Sequence, residues 1–207
     1  MRRFLAVLFL PACMSSFQSA RTLPKGKTQV TADLDGFKAF DSNDSSETVY
    51  AGELMVRNGL DDGLEGGVRL GRLPGDSGDT ASLLMLDLKK QVSDPATTTS
   101  AISVDIPLGI AWSEQGTNLE GGTFLAAPTL LVGVQVSPSA EVVLGPKFVW
   151  VVLSDSSDQS KLGGGVSMGL RISDPSRTWA VHPELSLLKV EDADTIISFG
   201  LAVSAGN

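Results

Sequence analysis

Apolar and polar residues alternate with a period of two in one segment after another from Lys27 to the end of the chain. Successive side chains of a β-strand point to opposite faces, so this alternation predicts strands with one apolar face and one polar or small face. The pattern is clearest in residues 101–112. Ten segments carry it: 27–37, 48–58, 64–73, 82–91, 101–112, 123–137, 141–152, 162–173, 179–190 and 195–206.

The segments between these strands are short and rich in Gly, Asp, Asn, Ser and Pro, which are the residues that turns favour. No helical period of useful length occurs after the first residues, and no change of composition marks a domain boundary. A chain of 207 residues with 22 Gly is therefore predicted to form one antiparallel all-β domain over residues 27–207.

Ten amphipathic strands fit two architectures, which differ in where the apolar face lies. A β-sandwich or a lipocalin-like barrel is soluble and buries its apolar face in a core. A transmembrane barrel exposes the apolar face to lipid and keeps the polar face in its lumen. The composition of the two faces distinguishes these architectures.

Several features of the strands favour the transmembrane barrel. The polar faces are rich in Gly, Ala and Ser, as a crowded lumen requires. Most strands have ten to twelve residues, close to the ~9–11 with which a tilted strand crosses a bilayer. We therefore predict a closed, up-and-down, antiparallel β-barrel of about ten strands, of the transmembrane type. All seven strand aromatics after residue 45 lie on the apolar face: Tyr50, Trp112, Phe124, Phe148, Trp150, Trp179 and Phe199.

The first residues are typical of a bacterial export signal. Arg2 and Arg3 precede a short apolar stretch over residues 4–12. We therefore expect residues 1–12 to act as a signal peptide and to be absent from the mature fold.

The end of this stretch carries a second pattern. Residues 10–13, with the sequence LPAC, resemble the lipobox at which the signals of bacterial lipoproteins are cleaved. The resemblance implies that Cys13 is acylated and that residues 13–26 form a lipidated N-terminus and a polar spacer. The alternative is an ordinary signal peptide, whose cysteine is discarded or buried.

Residues 27–207 resemble the small outer-membrane β-barrel proteins of Gram-negative bacteria. Residues 20–27, with the sequence ARTLPKGK, are similar to the lead-in of such barrels. The C-terminus departs from the pattern, because it ends in VSAGN where many of these proteins end in Phe. The resemblance implies export to the outer membrane, a monomeric barrel and outer-membrane lipid as its surroundings.

The composition argues against several other classes of protein. A formal charge of −8 argues against a nucleic-acid binder, whose affinity would rest on basic patches. One Cys and one His exclude a disulfide framework and a zinc cluster. The glycine clusters do not precede helices and are not phosphate loops. We predict no cofactor and no metal.

The residue types of a hydrolase triad occur together in the ninth predicted strand, as His182, Glu184 and Ser186. They share one strand face, where consecutive members are ~6.6 Å apart, too far for direct hydrogen bonds. They are therefore expected to fill the lumen, and we predict no enzyme activity.

The inward faces of the predicted barrel carry charges of both signs. An unpaired charge in a narrow interior is costly, so these residues are expected to pair across the lumen and to fill it. The predicted charge network consists of Glu53, Arg57, Glu65, Arg69, Asp87, Lys89, Asp105, Glu141, Lys147, Arg171 and Glu184.

The leading hypothesis is an outer-membrane barrel, lipid-anchored at Cys13, with a structural or interaction role and a lumen filled by side chains. One alternative is a small channel or transporter for polar solutes. Another is a soluble β-sandwich or lipocalin-like binding protein tethered by lipid. The sequence names neither a substrate nor a protein partner.

Overall fold

The computed structural model describes residues 17–40, 48–74, 80–94, 99–115, 118–153, 160–174, 176, 178–191 and 195–206. These ranges hold no helix, and hence none that could span a membrane. They form eleven β-strands: β1 (Thr28–Phe40), β2 (Thr48–Asp61), β3 (Leu64–Pro74), β4 (Thr80–Gln91), β5 (Ser100–Gln115), β6 (Asn118–Ala126), β7 (Thr129–Ser137), β8 (Ala140–Leu153), β9 (Ser160–Ser173), β10 (Trp179–Val190) and β11 (Thr195–Gly206).

The strands close into an antiparallel barrel. The first and last strands pair along their whole lengths, from Gln29 opposite Gly206 to Phe40 opposite Thr195. Strands β6 and β7 are two halves of one barrel strand, because both pair with β5 on one side and with β8 on the other. The predicted closed, antiparallel barrel of ten strands is confirmed.

A proline explains the break between β6 and β7. Pro128 has no backbone N–H, so it cannot donate to the ladder of a neighbouring strand. The flanking groups still pair, because the Ala127 N–H donates to the Pro107 carbonyl and the Phe148 N–H donates to the Pro128 carbonyl. The wall therefore stays closed across the break.

The apolar faces of the strands point outward. Leu34, Leu86 and Phe199 are each at least 60% exposed, and large apolar side chains are exposed on every wall strand. Six of the seven predicted outward aromatics are exposed and the seventh, Trp112, is half-buried. A surface of this kind requires lipid or another apolar environment. The soluble sandwich and lipocalin-like alternatives are therefore wrong, since both need the apolar face inside.

The two ends of the barrel are different inside. We call the end where β1 begins and β11 ends the N-terminal mouth, and the opposite end the far end. Inward side chains near the far end pack into what we call the apolar lumen core: Phe37, Ala51, Leu73, Ala81, Leu83, Met85, Ala111, Leu125, Ala127, Val149, Val151, Leu188, Val190 and Ile196. The residues of the predicted charge network lie on the other side of this core, toward the N-terminal mouth.

Residues 17–27, which we call the N-terminal segment, enter the lumen through the N-terminal mouth. At the mouth, the Gly26 N–H donates to the Gly59 carbonyl over 2.8 Å. Deeper in, Phe17 and Ala20 are 3% and 0% exposed. The sequence predicted a lipidated N-terminus and polar spacer over residues 13–26, whereas residues 17–23 of it lie inside the lumen in the structure. The polar groups of the segment find partners on the lumen wall, so this part of the chain belongs to the barrel interior.

Candidate functional site in the barrel lumen

Buried charges of β2, β3 and β4 meet inside the barrel, between the apolar lumen core and the N-terminal mouth. Arg57, whose side chain is 4% exposed, has Nε 3.5 Å from Glu65 Oε1 and Nη2 3.5 Å from Asp87 Oδ2. Lys89 Nζ lies 3.0 Å from the same Glu65 oxygen. Glu65 therefore forms ion pairs with two cations, one from each neighbouring strand.

Arg69 extends this arrangement toward the far end. Its Nη1 lies 3.5 Å from Glu53 Oε2 and its Nη2 lies 3.5 Å from Asp87 Oδ2. Asp87 thus joins the two arginines, and each paired side chain is only 2–4% exposed. The linked residues, which we call the ion-pair network, are Glu53, Arg57, Glu65, Arg69, Asp87 and Lys89.

Glycines of β3 make room for these long side chains. In the pairing of β2 with β3, Arg57 lies opposite Gly67 and Glu53 lies opposite Gly71. A Cβ atom on Gly67 would lie 2.9 Å from Arg57 Cγ, and one on Gly71 would lie 3.3 Å from Glu53 Cγ. The missing side chains let Arg57 and Glu53 lie across β3.

The other five residues of the predicted charge network also face the lumen. Glu141 lies directly opposite Arg171 in the pairing of β8 with β9. Lys147 is buried on the same inner face of β8. The remaining two, Asp105 and Glu184, lie on β5 and β10 and bind the N-terminal segment.

The N-terminal segment is held by hydrogen bonds from many sides of the lumen. Three wall carboxylates accept from it: Glu184 from the Phe17 N–H (2.9 Å), Asp105 from Gln18 Nε2 (2.8 Å) and Glu141 from Ser19 Oγ (2.6 Å). The ion-pair network contributes as well. Glu65 Oε2 accepts from the Leu23 N–H at 2.8 Å, and Lys89 Nζ donates to the Ser19 and Arg21 carbonyls at 3.3 and 3.1 Å.

Sequence reasoning missed the segment as part of the lumen. The available signal was an excess of inward acids: Asp33, Asp35, Glu53, Glu65, Asp87, Asp105, Glu141 and Glu184. The inward bases were only Arg57, Arg69, Lys89, Lys147 and Arg171. Buried carboxylates need donors, so a wall with surplus acceptors implies donors from another part of the chain.

The three triad-like residues of β10 do not form a triad. His182 Nε2 lies 3.0 Å from Ser204 Oγ on β11, and Ser186 Oγ donates to Glu184 Oε1 at 3.2 Å. A triad needs the histidine between the serine and the carboxylate, but His182 bonds to Ser204 on β11 and Ser186 bonds to Glu184 directly. His182 and Ser204 are also buried, at 4% and 0% exposed. The direct Ser186–Glu184 bond corrects the expectation that consecutive members lie too far apart to bond, whereas His182 turns to Ser204 on the neighbouring strand.

Two further predictions concern metals and lipid. Among the described residues, no group of three or more His, Cys, Asp or Glu side chains is placed to hold a metal ion. Cys13, the predicted lipidation site, lies outside the described residues.

Comparison with known proteins identifies the fold. No protein-family model matches the chain, and no protein with a curated description matches it. An outer membrane channel from Pseudomonas putida F1 has a TM-score of 0.56 at 10% identity, over 91% of this chain and 98% of that chain. The β domain of the Bordetella autotransporter BrkA has a TM-score of 0.57 at 10% identity, over 88% and 100%. The likeness concerns the fold alone, which is that of the bacterial outer-membrane β-barrels.

Proposed function

We propose that this protein is an outer-membrane β-barrel with a sealed lumen, which serves as a structural or interaction anchor. One observation carries this proposal: side chains and backbone fill the lumen along its length. The apolar lumen core fills the part near the far end, and the ion-pair network and the N-terminal segment fill the part near the N-terminal mouth. A barrel filled in this way has its wall and its rims available for contacts, and no open path for solutes.

The outer surface supports a membrane location. Large apolar side chains cover the wall, and its unbroken strands of eleven to sixteen residues are long enough to cross a bilayer when tilted. The solved structures that share the fold include proteins of the outer membrane. The N-terminal export signal, a prediction from the sequence, agrees with this location.

The lumen composition supports a sealed barrel. An ion that crosses the apolar lumen core would lose its water without gaining a polar partner, and apolar constrictions block conduction by expelling water. Next to this core, Arg57 and Arg69 extend from β2 and β3 and pair with carboxylates. Opening the lumen would require both layers to rearrange.

Lipid attachment at Cys13 is part of the proposal. Its support is the lipobox-like sequence of residues 10–13. Acyl chains gain ~0.8 kcal/mol per buried CH₂ group, and more than one chain is needed for stable anchoring.

A small channel for polar solutes is the second candidate. It is favoured by the likeness in fold to the Pseudomonas putida channel. The two candidates differ in one measurable property, the conductance of the purified barrel.

Planar-bilayer recording tests the proposal. The full-length protein, shown to be folded by its faster migration on unheated gels, is expected to give no steady current. Arg69→Ala is expected to give none either, because the apolar lumen core still closes the far end. A steady wild-type conductance would favour the channel and overturn the sealed anchor.

A further inference from the structure

We propose that the half of the lumen next to the N-terminal mouth is a binding site for an extended peptide, occupied here by the chain's own N-terminal segment. We call it the peptide site. This inference goes beyond the anchoring function, because it assigns a recognition chemistry to the inside of the barrel.

The wall recognises the segment largely through its backbone. Carboxylate and amide oxygens accept from peptide N–H groups: Glu184 from Phe17, Gln91 from Thr22 and Glu65 from Leu23. Cationic and hydroxyl groups donate to peptide carbonyls: Lys89 to Ser19 and Arg21, and Ser103 to Ala20. The wall thus offers acceptors to the N–H groups and donors to the carbonyl groups of a peptide backbone, as other peptide-binding sites do.

The wall residues that make these contacts are themselves fixed and buried. Glu65, Lys89, Ser103 and Glu184 are between 0% and 5% exposed. Glu65 and Lys89 are also held by the ion-pair network. Buried polar groups of this kind require partners, and the peptide backbone supplies them.

Three wall glycines leave room for the segment. A Cβ atom on Gly59 would lie 2.7 Å from the Leu23 carbonyl oxygen and still closer to that of Pro24. A Cβ on Gly133 would clash with Glu141 Oε1 and would lie 2.8 Å from Ala20 Cβ. A Cβ on Gly200 would clash with both Asp35 Oδ1 and the Phe17 ring. The wall is therefore shaped around a chain that passes along it.

One position of the peptide site selects for side-chain size. Ala20 is fully buried in a cluster with Ala101, Leu131 and Val143, and Gly133 lies against it. A longer side chain here has no space unless the wall moves. The site is therefore expected to accept extended peptides that carry a small residue at this point.

The site is a blind pocket with one entrance. The apolar lumen core closes its inner end, so a peptide can enter only at the N-terminal mouth. There the chain is held by the Gly26–Gly59 backbone bond and by the exposed Lys25–Asp61 pair at 3.2 Å. An exposed ion pair contributes little to stability. We therefore expect the buried hydrogen bonds deeper in the lumen to supply most of the binding free energy of the segment.

The test uses Ser103→Cys as a reporter in a Cys13→Ala background, with labelling by a membrane-impermeant maleimide. Deletion of residues 17–25 is expected to raise the labelling rate about tenfold or more, because labelling of a buried group follows its open population. A synthetic peptide with the sequence of residues 17–27 should restore protection when added to the deletion variant. The same peptide with Leu in place of Ala20 should not.

Point variants in the full-length chain give an independent test should the deletion variant fail to fold. Gly59→Ala is expected to displace the segment at Leu23 and Pro24, which hold the atoms nearest to the added Cβ, and to raise labelling of the reporter. Gly169→Ala is the matched control on the lumen side, because its Cβ would lie in ordinary contact at 3.5 Å from Glu184 Oε2. Every variant is first shown to be folded by heat-dependent gel migration. A folded deletion variant that stays unlabelled, a peptide that gives no protection, or equal labelling of the two glycine variants would each overturn the proposal.

Discussion

Lys89 Nζ lies 3.0 Å from Glu65 Oε1, and both residues also bind the backbone of the N-terminal segment. The two are direct neighbours across the pairing of β3 with β4. The pair therefore belongs to the ion-pair network and to the peptide site at once. A change in either residue should disturb the wall and the segment together.

Lys89→Met is expected to lower the free energy of unfolding by about 3 kcal/mol, because it leaves buried Glu65 short of a cation. This value is at the lower end of the ~3–5 kcal/mol that the loss of one partner of a buried ion pair costs. Arg57 remains as a second partner, because its Nε lies 3.5 Å from Glu65 Oε1. Urea unfolding in phospholipid vesicles measures it. Lys90→Met is the control, since Lys90 is the next residue and is exposed on the outer face. Equal losses at both positions would contradict the assigned pairing.

Leu125→Ala is expected to cost about 2–5 kcal/mol, because it opens a cavity in the apolar lumen core. Leu125 is fully buried there, whereas Leu130 is 42% exposed on the outside of the same barrel strand. Leu130→Ala should cost less, because lipid chains can fill the space that it leaves. Unfolding of the two variants in the same vesicles compares them. A larger effect at Leu130 would show that the faces are reversed.

Leu130→Arg is expected to cost about 2–4 kcal/mol in a bilayer if the side chain lies near its centre. The neighbouring inward change Thr129→Ser should be mild, because serine keeps the hydroxyl that donates to the Ala127 carbonyl. Because a soluble protein would also resist Leu130→Arg, the wild type is tested for detergent dependence in parallel. A monodisperse wild type without detergent would contradict the membrane barrel.

Lipidation at Cys13 predicts that metabolic palmitate labelling is lost in Cys13→Ser. Intact mass should then show a mature chain that begins at Cys13 and carries acyl groups. Ser15→Ala, a similarly small change two residues later, should leave the labelling unchanged. A mature chain that begins after Cys13 would exclude the anchor.

The strands and their two faces could be predicted from the sequence, because a period of two marks a face directly. Leu34 and Asp35 show this, since one is 60% and the other 1% exposed, as their neighbouring positions require. The closed barrel followed from small residues on the inner faces and from aromatics such as Phe199 on the outer faces.

The layers inside the barrel could not be predicted in the same way. Alternation tells which face a residue is on, but not its height along the barrel axis, which depends on the register of all strands. In the sequence, Leu125, Val149 and Val151 occupy positions of the polar faces, and only the folded barrel shows that they meet in one apolar layer. The N-terminal segment was missed for a related reason. Its partners lie on six different strands, and its own short sequence carries no period.

The place of the N-terminal segment inside the wall has a consequence for biogenesis. The segment is continuous with β1, and β1 forms the final seam with β11, the pairing of greatest sequence separation in the fold. Contacts of this range form late, because the loop between them must first be ordered. The incomplete sheet must therefore curl around the first residues of the chain, or these residues must thread through the mouth after the seam has closed. In the first case, an early part of the chain acts as a template for the strands that are made last.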